Sequence, residues 1–412
     1  MPESRITKDD ARKRYDQMKS TPASLDLTRG KPAPSQLDLS NALITILGPN
    51  DFRAADGTDC RNYGGLDGLP EARQLFAELL NAKPDRVLVA DNSSLALMYE
   101  TVAFAALHGV PDGSRPWREQ RPRFLCPSPG YDRHFSICED LGVEMIPVPM
   151  TVEGPDMDRV EELAGADERI KGIWVVPKYG NPTGITLSPT VVTRLARTKT
   201  AARDFRVFWD NAYAVHDLTE TADLLANGPA LAEEAGHANR FVTFASFSKV
   251  TFAGASISAL ASSDANIAWI RKHRANMTIG PDKLNQLRHV RFLKDADGVQ
   301  AHMQKHAAIL RPKFELVQQI LERELGGTGL AQWTKPRGGY FVSLDTQPGR
   351  AARVVKMAAD AGVKLTPAGS AFPLKKDPLD ANIRIAPSYP SLQELARAIE
   401  VLAVSILVAS AE

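Results

Sequence analysis

One lysine stands out by its surroundings, in the stretch 244–254. We predict that a short buried strand ends here and turns at Lys249, with Ser246 and Ser248 beside it and Gly254 allowing close backbone approach. Most lysines are solvated point charges. An amine held in a pocket of small polar groups, however, can lose its proton and attack a carbonyl carbon to form an imine. The stretch therefore indicates a catalytic lysine whose natural partner is an aldehyde cofactor.

Pyridoxal phosphate (PLP) is such a cofactor, and it makes two further demands on a protein. It needs an acidic partner at its pyridine nitrogen and an anchor for its phosphate. A predicted strand over 86–90 leads into Asn92, Ser93 and Ser94, and a predicted helix covers 95–107. Amides and hydroxyls at a helix N-terminus after a strand can hold a phosphate, although Asn and Ser are also ordinary helix caps.

Strands and helices alternate over much of the chain. The predicted strands cover 86–90, 123–126, 144–148, 171–176, 206–211 and 240–245, and the predicted helices cover 71–81, 95–107, 156–164, 189–200 and 221–234. This alternation predicts an α/β fold with a mostly parallel sheet flanked by helices. Ligands bind at the carboxyl ends of the strands in such sheets. The residues that this prediction places there are Asn92, Tyr131, Asn181, Asp210 and Lys249.

Two segments outside the alternation are candidate site loops. The segment 25–34 breaks regular structure, and Gly30 would let its backbone pass a binding site. The glycine-rich loop 62–70 opens a predicted helix and contains Tyr63, which lies among residues without bulk. The alternatives are a simple connecting arm and an ordinary loop tyrosine.

The chain has 412 residues, more than one small core usually absorbs. Beyond the alternating region we expect helices over 8–20, 265–277 and from about 284 to 326, and an α+β segment with strands over 363–366 and 383–386 and helices over 350–361 and 392–405. We predict an N-terminal arm over 1–45 that contributes to the small domain. A large PLP-binding domain would cover 46–300, and a small C-terminal domain would cover 301–412.

The composition excludes several classes of protein. Apolar residues make up 43% and charged residues 24% of the chain, as in ordinary globular proteins. The 50 Lys and Arg nearly balance the 49 Asp and Glu, which argues against nucleic-acid or membrane-surface binding. Three scattered cysteines cannot form a disulfide framework or a metal cluster. With no apolar signal core near Met1 and no bilayer-spanning run, the expected compartment is the cytoplasm.

Five motifs together resemble the fold type I, class I PLP-dependent aminotransferases. In chain order they are Asn181-Pro-Thr-Gly184, Asp210-Asn-Ala-Tyr213, Ser246-Phe-Ser-Lys249, Gly338-Gly-Tyr-Phe341 and Asn382-Ile-Arg-Ile-Ala386. The resemblance covers nearly the whole chain, and the joint pattern is specific although each motif alone is not. Three further stretches look closest to a bacterial aspartate aminotransferase subgroup: 64–69, 129–135 and 280–285.

The resemblance implies a role for each residue around the cofactor ring. Lys249 would hold the cofactor as an imine and then move the proton between the substrate Cα and the cofactor. Asp210 would keep the pyridine nitrogen protonated, so that the ring accepts electrons. Asn181 and Tyr213 would hydrogen-bond the ring oxygen. Tyr131 is the candidate for stacking on the ring, with an ordinary packed tyrosine as the alternative.

The resemblance also assigns the phosphate and the substrate carboxylate. The phosphate cradle would comprise Asn92, Ser93, Ser94 and Ser246, and Ser248 would be a further cofactor-binding residue. In the family's homodimer, Tyr63 would reach the phosphate of the neighbouring subunit and so contribute to catalysis. Arg384 would clamp the substrate α-carboxylate with two parallel hydrogen bonds, beside Asn181 and the backbone of Gly30.

The sequence departs from the family pattern at one point. The family usually places an arginine shortly after the lysine to pair with the phosphate, but this chain has Ser256 and neighbouring neutral residues there. Neutral donors and the helix dipole would hold the phosphate, or a cation from elsewhere would, with Lys283 as a candidate.

The subgroup resemblance predicts amino transfer from L-aspartate to 2-oxoglutarate, giving oxaloacetate and L-glutamate by a ping-pong cycle. A dicarboxylate needs a second cation, and the candidates near the predicted site are Arg29, Arg133, Lys178 and Lys283. The alternative within enzymes is a broader aminotransferase for kynurenine, aminoadipate or aromatic amino acids. A PLP-dependent lyase of the same fold is a further alternative. A PLP-binding transcription regulator is disfavoured, because we expect no room for a winged-helix domain before the arm and see no basic excess.

Overall fold

The computed structural model describes residues 8–22, 24–28 and 30–411. The α-helices, in chain order, are α1 (Lys8–Ser20), α2 (Pro34–Asp38), α3 (Pro70–Leu80), α4 (Ser94–His108), α5 (Asp132–Asp140), α6 (Met157–Ala166), α7 (Pro189–Arg197), α8 (Gly228–Glu234), α9 (Asp264–Arg274), α10 (Lys283–Leu293), α11 (Ala296–Leu325), α12 (Ala351–Asp360) and α13 (Leu392–Ala411). The β-strands are β1 (Leu25–Asp26), β2 (Val87–Ala90), β3 (Arg123–Ser128), β4 (Glu144–Thr151), β5 (Gly154–Pro155), β6 (Ile170–Val175), β7 (Arg206–Asp210), β8 (Phe241–Ser246), β9 (Ser258–Ser262), β10 (Ala331–Trp333), β11 (Val342–Thr346), β12 (Val363–Lys364) and β13 (Asn382–Ile385).

The large sheet has the strand order β2-β9-β8-β7-β6-β3-β4-β5. Its central strands β4, β3, β6, β7 and β8 pair in parallel, whereas β9 pairs antiparallel with β2 and β8, and β5 with β4. The predicted α/β fold with a mostly parallel sheet is therefore confirmed. The carboxyl ends of the parallel strands meet at one edge, which is where the functional loops emerge.

Successive side chains of a strand point to opposite faces of a sheet. Both faces of this sheet carry apolar side chains, and helices cover each of them. On β7, Phe208 packs with the core cluster that includes α4 and α9, whereas Val207 and Trp209 pack with the cluster that includes α7. Strands buried on both faces explain the continuous apolar runs in the sequence.

A second lobe is built around the antiparallel sheet β10-β11-β13. Helices α11 and α12 each pack on α13 beside it, and α1 also packs against α13. The N-terminal segment joins this lobe, because β1 pairs in parallel with β12. Among the described residues, no helix is long and apolar enough to cross a membrane.

The structure corrects three details of the element prediction. Helix α8 begins at Gly228 and not near residue 221, because the side chain of Asn227 caps it by accepting from the amide of Ala230. Strand β9 was not predicted: its small residues resemble a loop, yet it lies between β2 and β8, and these neighbouring strands fix its conformation. Helix α5 was not predicted either, since Pro129 and Gly130 before it are loop signals.

Candidate active site

A cavity of about 850 Å³ opens at the carboxyl edge of the large sheet, between this sheet and the second lobe. Its walls contain most of the residues predicted from the sequence. They are Gly30, Ser93, Ser94, Tyr131, Asn181, Asp210, Tyr213, Ser246, Ser248, Lys249 and Arg384. The fold therefore brings residues together from segments that span more than 350 positions of the chain.

Lys249 is half-buried in the turn that follows β8. Its Nζ lies 5.2 Å from the ring centroid of Tyr213 and 6.0 Å from that of Tyr340. Burial lowers the pKa of Lys249, and the carboxylate of Asp210 opposes this shift in part. A lowered pKa increases the fraction of neutral amine, which is the form that attacks a carbonyl carbon.

Asp210 ends β7, and its two carboxylate oxygens have different surroundings. Oδ2 lies 2.9 Å from Nε2 of His134, whereas Oδ1 is buried without a hydrogen-bond partner among the described residues. A buried carboxylate oxygen without a donor is costly. The unpartnered oxygen at the cavity wall is therefore suited to a ligand that carries a positively charged N–H group.

His134 is a residue that the sequence interpretation missed. It is buried on α5 and stacks on Trp174, with ring centroids 4.4 Å apart and an angle of 9° between the planes. This stacking fixes the imidazole that contacts Asp210. The available signal was the apolar spacing of Phe135 and Cys138 on the same segment, which is typical of a helix and would have turned His134 towards the core.

Tyr131 immediately precedes α5 and lines the cavity. Its ring meets that of His134 edge-on, with centroids 5.0 Å apart and an angle of 79° between the planes. Desolvation raises the pKa of Tyr131, and the charge of Asp210 raises it further. Tyr131 is therefore a neutral phenol over the whole physiological range.

Arg384 on β13 is 8% exposed and also lines the cavity. Its Nη1 donates to Oδ1 of Asn181 at 3.3 Å, which leaves the amide nitrogen of Asn181 as a donor. The guanidinium carbon lies 5.1 Å from the ring centroid of Phe341. A Cβ atom on Gly30 would lie 2.5 Å from Cζ of Phe341, so the absence of a side chain at Gly30 leaves room for this aromatic ring against the backbone.

Serine hydroxyls line the end of the cavity near α4. Ser93 caps α4 by accepting from the amide of Leu95 at 3.2 Å, and Ser246 donates to Ser248 at 3.2 Å. Ser248 in turn lies 3.4 Å from the carbonyl oxygen of Asn92. Asn92 itself is exposed and does not line the cavity, so the structure brings its backbone and not its side chain to this group.

Other candidates lie away from the cavity of their own chain. Tyr63 is 81% exposed, Lys283 donates to the carbonyl of Gly64 at 2.6 Å, and Lys178 pairs with Asp217 at 2.8 Å. Arg29 lies outside the described residues. A Cβ atom on Gly254 would meet nothing within 4 Å, so no described residue packs closely against its backbone.

The comparisons with known proteins now bear on this geometry. The sequence profile of the family described as "Aspartate amino-transferase" matches residues 3–412. The chain belongs to the aspartate aminotransferase family. The membership expected from the five motifs is thus confirmed, and this aminotransferase can be compared with individual relatives.

Relatives match this aminotransferase over nearly its whole length. A protein of Mycolicibacterium smegmatis is 53% identical over 405 residues, covering 97% of this chain and 94% of its own. An aspartate aminotransferase of Corynebacterium glutamicum is 49% identical over 405 residues, covering 98% and 94%. The crystal structure of an aspartate transaminase from Corynebacterium glutamicum superposes with a TM-score of 0.96 at 49% identity and covers 98% of this chain and 95% of that one.

A more distant relative shares the fold. The α-aminoadipate aminotransferase LysN of Thermus thermophilus, in a complex with N-(5'-phosphopyridoxyl)-L-leucine, is 22% identical. It superposes with a TM-score of 0.76 over 97% of this chain and 95% of its own.

Proposed function

We propose that this aminotransferase uses PLP to transfer the amino group of L-aspartate to 2-oxoglutarate, giving oxaloacetate and L-glutamate by a ping-pong cycle. The observation that carries the proposal is Oδ1 of Asp210, which is buried and has no hydrogen-bond partner among the described residues, on a residue that lines the same cavity as Lys249 and Arg384. The name of the Corynebacterium glutamicum relative supports the choice of aspartate.

The cavity residues fit PLP at each of its polar groups. Lys249 would form the covalent bond to the aldehyde carbon, and Asp210 would accept from the pyridine N–H, held in place by His134. Tyr213 and the amide nitrogen of Asn181 would donate to the ring oxygen. Bound PLP supplies an electron sink for the pair left when the substrate Cα loses its proton. Lys249 would take that proton from one carbon and return it to another.

The phosphate would bind among hydroxyls and helix amides. Ser93, Ser94, Ser246 and Ser248 surround this end of the cavity, and α4 points its N-terminus towards it. Ser256, where the family usually has an arginine, is buried and donates to the carbonyl of Ile257 at 3.1 Å. The phosphate would therefore rely on neutral donors and the helix dipole.

The substrate would bind between two cations. Arg384 would hold the α-carboxylate, and Arg133 would hold the distal carboxylate. Of the candidates proposed for the distal group, Arg133 lines the cavity and is exposed to it, whereas Lys178 and Lys283 are engaged elsewhere. Two cations that line the same cavity favour a dicarboxylate over an aromatic amino acid.

The functional unit would be a homodimer in which Tyr63 reaches the phosphate of the partner subunit. Tyr63 projects from a loop that packs closely on Gly280, where an added Cβ atom would lie 2.4 Å from the carbonyl of Gly64. Nearby in the chain, Met277 and Ile279 are 51% and 63% exposed. An aromatic ring beside exposed apolar side chains is typical of a subunit interface.

A titration of the purified holoenzyme tests the proposal. L-Aspartate and L-glutamate should each change the absorbance of the bound cofactor and yield oxaloacetate and 2-oxoglutarate. A response to aromatic amino acids or aminoadipate without one to aspartate would contradict the proposed substrate. Fumarate as the product from aspartate would indicate a lyase instead.

A further inference from the structure

The guanidinium of Arg384 is almost saturated with acceptors. Nη1 donates to Oδ1 of Asp132 at 3.0 Å and to Asn181 at 3.3 Å, and Nη2 donates to the carbonyl of Thr28 at 3.3 Å and to Oγ1 of Thr366 at 3.2 Å. Only the N–H at Nε is without a partner among the described residues. A guanidinium has five N–H groups, so four of the five are occupied.

A substrate carboxylate needs more than this single N–H group. The strong mode of binding uses two parallel N–H groups on one edge of the guanidinium. Among the described residues, Nη1 and Nη2 each donate to two acceptors, so a carboxylate bound across these two nitrogens must displace one acceptor from each, and on Nη1 that acceptor is Asp132 or Asn181.

The acceptors differ in how readily they can leave. Thr28 and Thr366 are hydrogen-bonded to each other at 2.7 Å, and one of the two acceptors is a backbone carbonyl. Asn181 is buried. Asp132, by contrast, is the first residue of α5, and its side chain is 35% exposed, so water can solvate it after release. The carboxylate of Asp132 is also the same chemical group as the α-carboxylate of the substrate.

We propose that Asp132 is an internal competitor of the substrate α-carboxylate at Arg384. This inference rests on the proposed function of Arg384. Without substrate, Asp132 neutralises a guanidinium that would otherwise be buried unpaired, which is a costly state. The substrate exchanges one carboxylate for another, so the free energy of breaking the ion pair is subtracted from the binding free energy.

The exchange of carboxylates takes place beside Arg133. Arg133, the proposed partner of the distal carboxylate, is the next residue in the first turn of α5. The two substrate carboxylates would therefore bind near the N-terminus of α5. One would bind Arg384, which contacts Asp132, and the other would bind Arg133. Asp132 sets the affinity for the substrate rather than the rate of proton transfer, because it does not contact Lys249.

The test measures binding of succinate, a dicarboxylate that cannot react, to the holoenzymes of the wild type and of Asp132→Asn. Calorimetry or the absorbance of the bound cofactor gives the dissociation constant. We expect this constant to fall roughly two- to fivefold in Asp132→Asn, the range expected for a partly exposed ion pair. The KM for aspartate should fall in parallel while kcat is unchanged. Asp132→Ser should behave in the same way if Asn at this position impairs folding.

The matched control is Glu139→Gln, which removes an equal charge from the same helix and the same cavity without a contact to Arg384. It should change the dissociation constant of succinate much less. Equal effects of the two variants, or weaker binding by Asp132→Asn, would overturn the competition and assign Asp132 a role in general electrostatics or in orienting Arg384. Failure of the wild type to bind either succinate or aspartate would instead overturn the proposed function and this inference with it.

Discussion

The two carboxylate oxygens of Asp210 differ: Oδ2 contacts His134, and Oδ1 is buried without a partner among the described residues. The contact with His134 at 2.9 Å fixes the direction of the carboxylate, and Trp174 fixes His134 by stacking. The second oxygen therefore has a defined position at the cavity wall, as electrostatic stabilisation of a charged group requires. A sequence motif alone could indicate Asp210 but could not show this supporting chain of contacts.

Asp210→Asn tests the charge of this group without changing its size. The amide can still contact His134, but it cannot keep a pyridine nitrogen protonated. We expect kcat with aspartate to fall by about a hundredfold to a thousandfold, as on removal of one preorganised electrostatic partner. Steady-state kinetics at saturating cofactor provide the measurement. A variant within threefold of the wild type would contradict the proposed role.

At the scale of secondary structure, the sequence predicted the strands and the long helices well. Strands β3, β6 and β7 carry apolar runs bounded by polar turns, so local pattern and tertiary position agree. Strand β9 could not be predicted, because its Ser and Ala residues acquire strand conformation only from their neighbours in the sheet. The same limit applies to α5, and with it to His134 and Asp132.

The site residues also fall into two groups: those that the local sequence could indicate, and those whose contacts appear only in the tertiary structure. Motif residues at strand ends, such as Asn181 and Lys249, could be placed at one edge from the sequence. The ion pair between Asp132 and Arg384 joins positions 252 residues apart, and nothing in the local pattern indicates it. The roles assigned to individual site residues stay predictions.

Helix α11 carries His306, whose protonation should destabilise the folded protein. His306 is fully buried and lies 3.1 Å from the amide nitrogen of Gln36 and 3.2 Å from His302. Burial lowers its pKa to about 4. A histidine whose pKa is lower in the folded state binds fewer protons there, so its contribution to stability is present above the unfolded pKa and is lost as the pH falls.

His306→Gln should therefore reduce the dependence of stability on pH. Between pH 7 and pH 5, the free energy of unfolding of the wild type should fall by about 2 kcal/mol more than that of the variant. Denaturant titrations of both proteins at equal concentration provide the measurement. Parallel pH profiles would show that His306 is not a neutral buried group in the folded protein.

The glycine motif before β11 is explained by packing against Tyr179. A Cβ atom on Gly338 would lie 2.2 Å from the ring of Tyr179, whose hydroxyl donates to Asp217 at 2.6 Å. Gly338→Ala should lower the free energy of unfolding by more than about 2 kcal/mol, because the buried ring cannot move away. Gly48→Ala, where a Cβ atom meets nothing within 4 Å, is the matched control. Equal stability of the two variants would contradict this explanation.

At the scale of the whole molecule, the cavity lies between two lobes that each have their own sheet. The N-terminal segment contributes β1 to the second lobe and Gly30 to the cavity wall. The division into 1–45, 46–300 and 301–412 stays a prediction. Helix α11, which spans Ala296–Leu325, crosses the proposed boundary near residue 300.

The proposed homodimer can be tested by complementation between subunits. Tyr63→Ala would impair the partner's site, and Lys249→Ala would inactivate its own. A mixture refolded together should recover activity, because one of the two sites in a hybrid dimer then has both native residues. The theoretical recovery is about a quarter of the wild-type activity, given random pairing and one intact site in half of the dimers. No recovery in a mixture that sediments as a dimer would place Tyr63 outside the partner's site.

Reduction with borohydride is the most direct test of the central claim, that Lys249 binds PLP covalently. The purified holoprotein would be treated with borohydride, digested and analysed by mass spectrometry. We expect the reduced cofactor on the peptide that contains Lys249, and none on this peptide after the change Lys249→Ala. An unlabelled Lys249, or a label on Lys31 or Lys375, the other lysines of the cavity wall, would contradict the account.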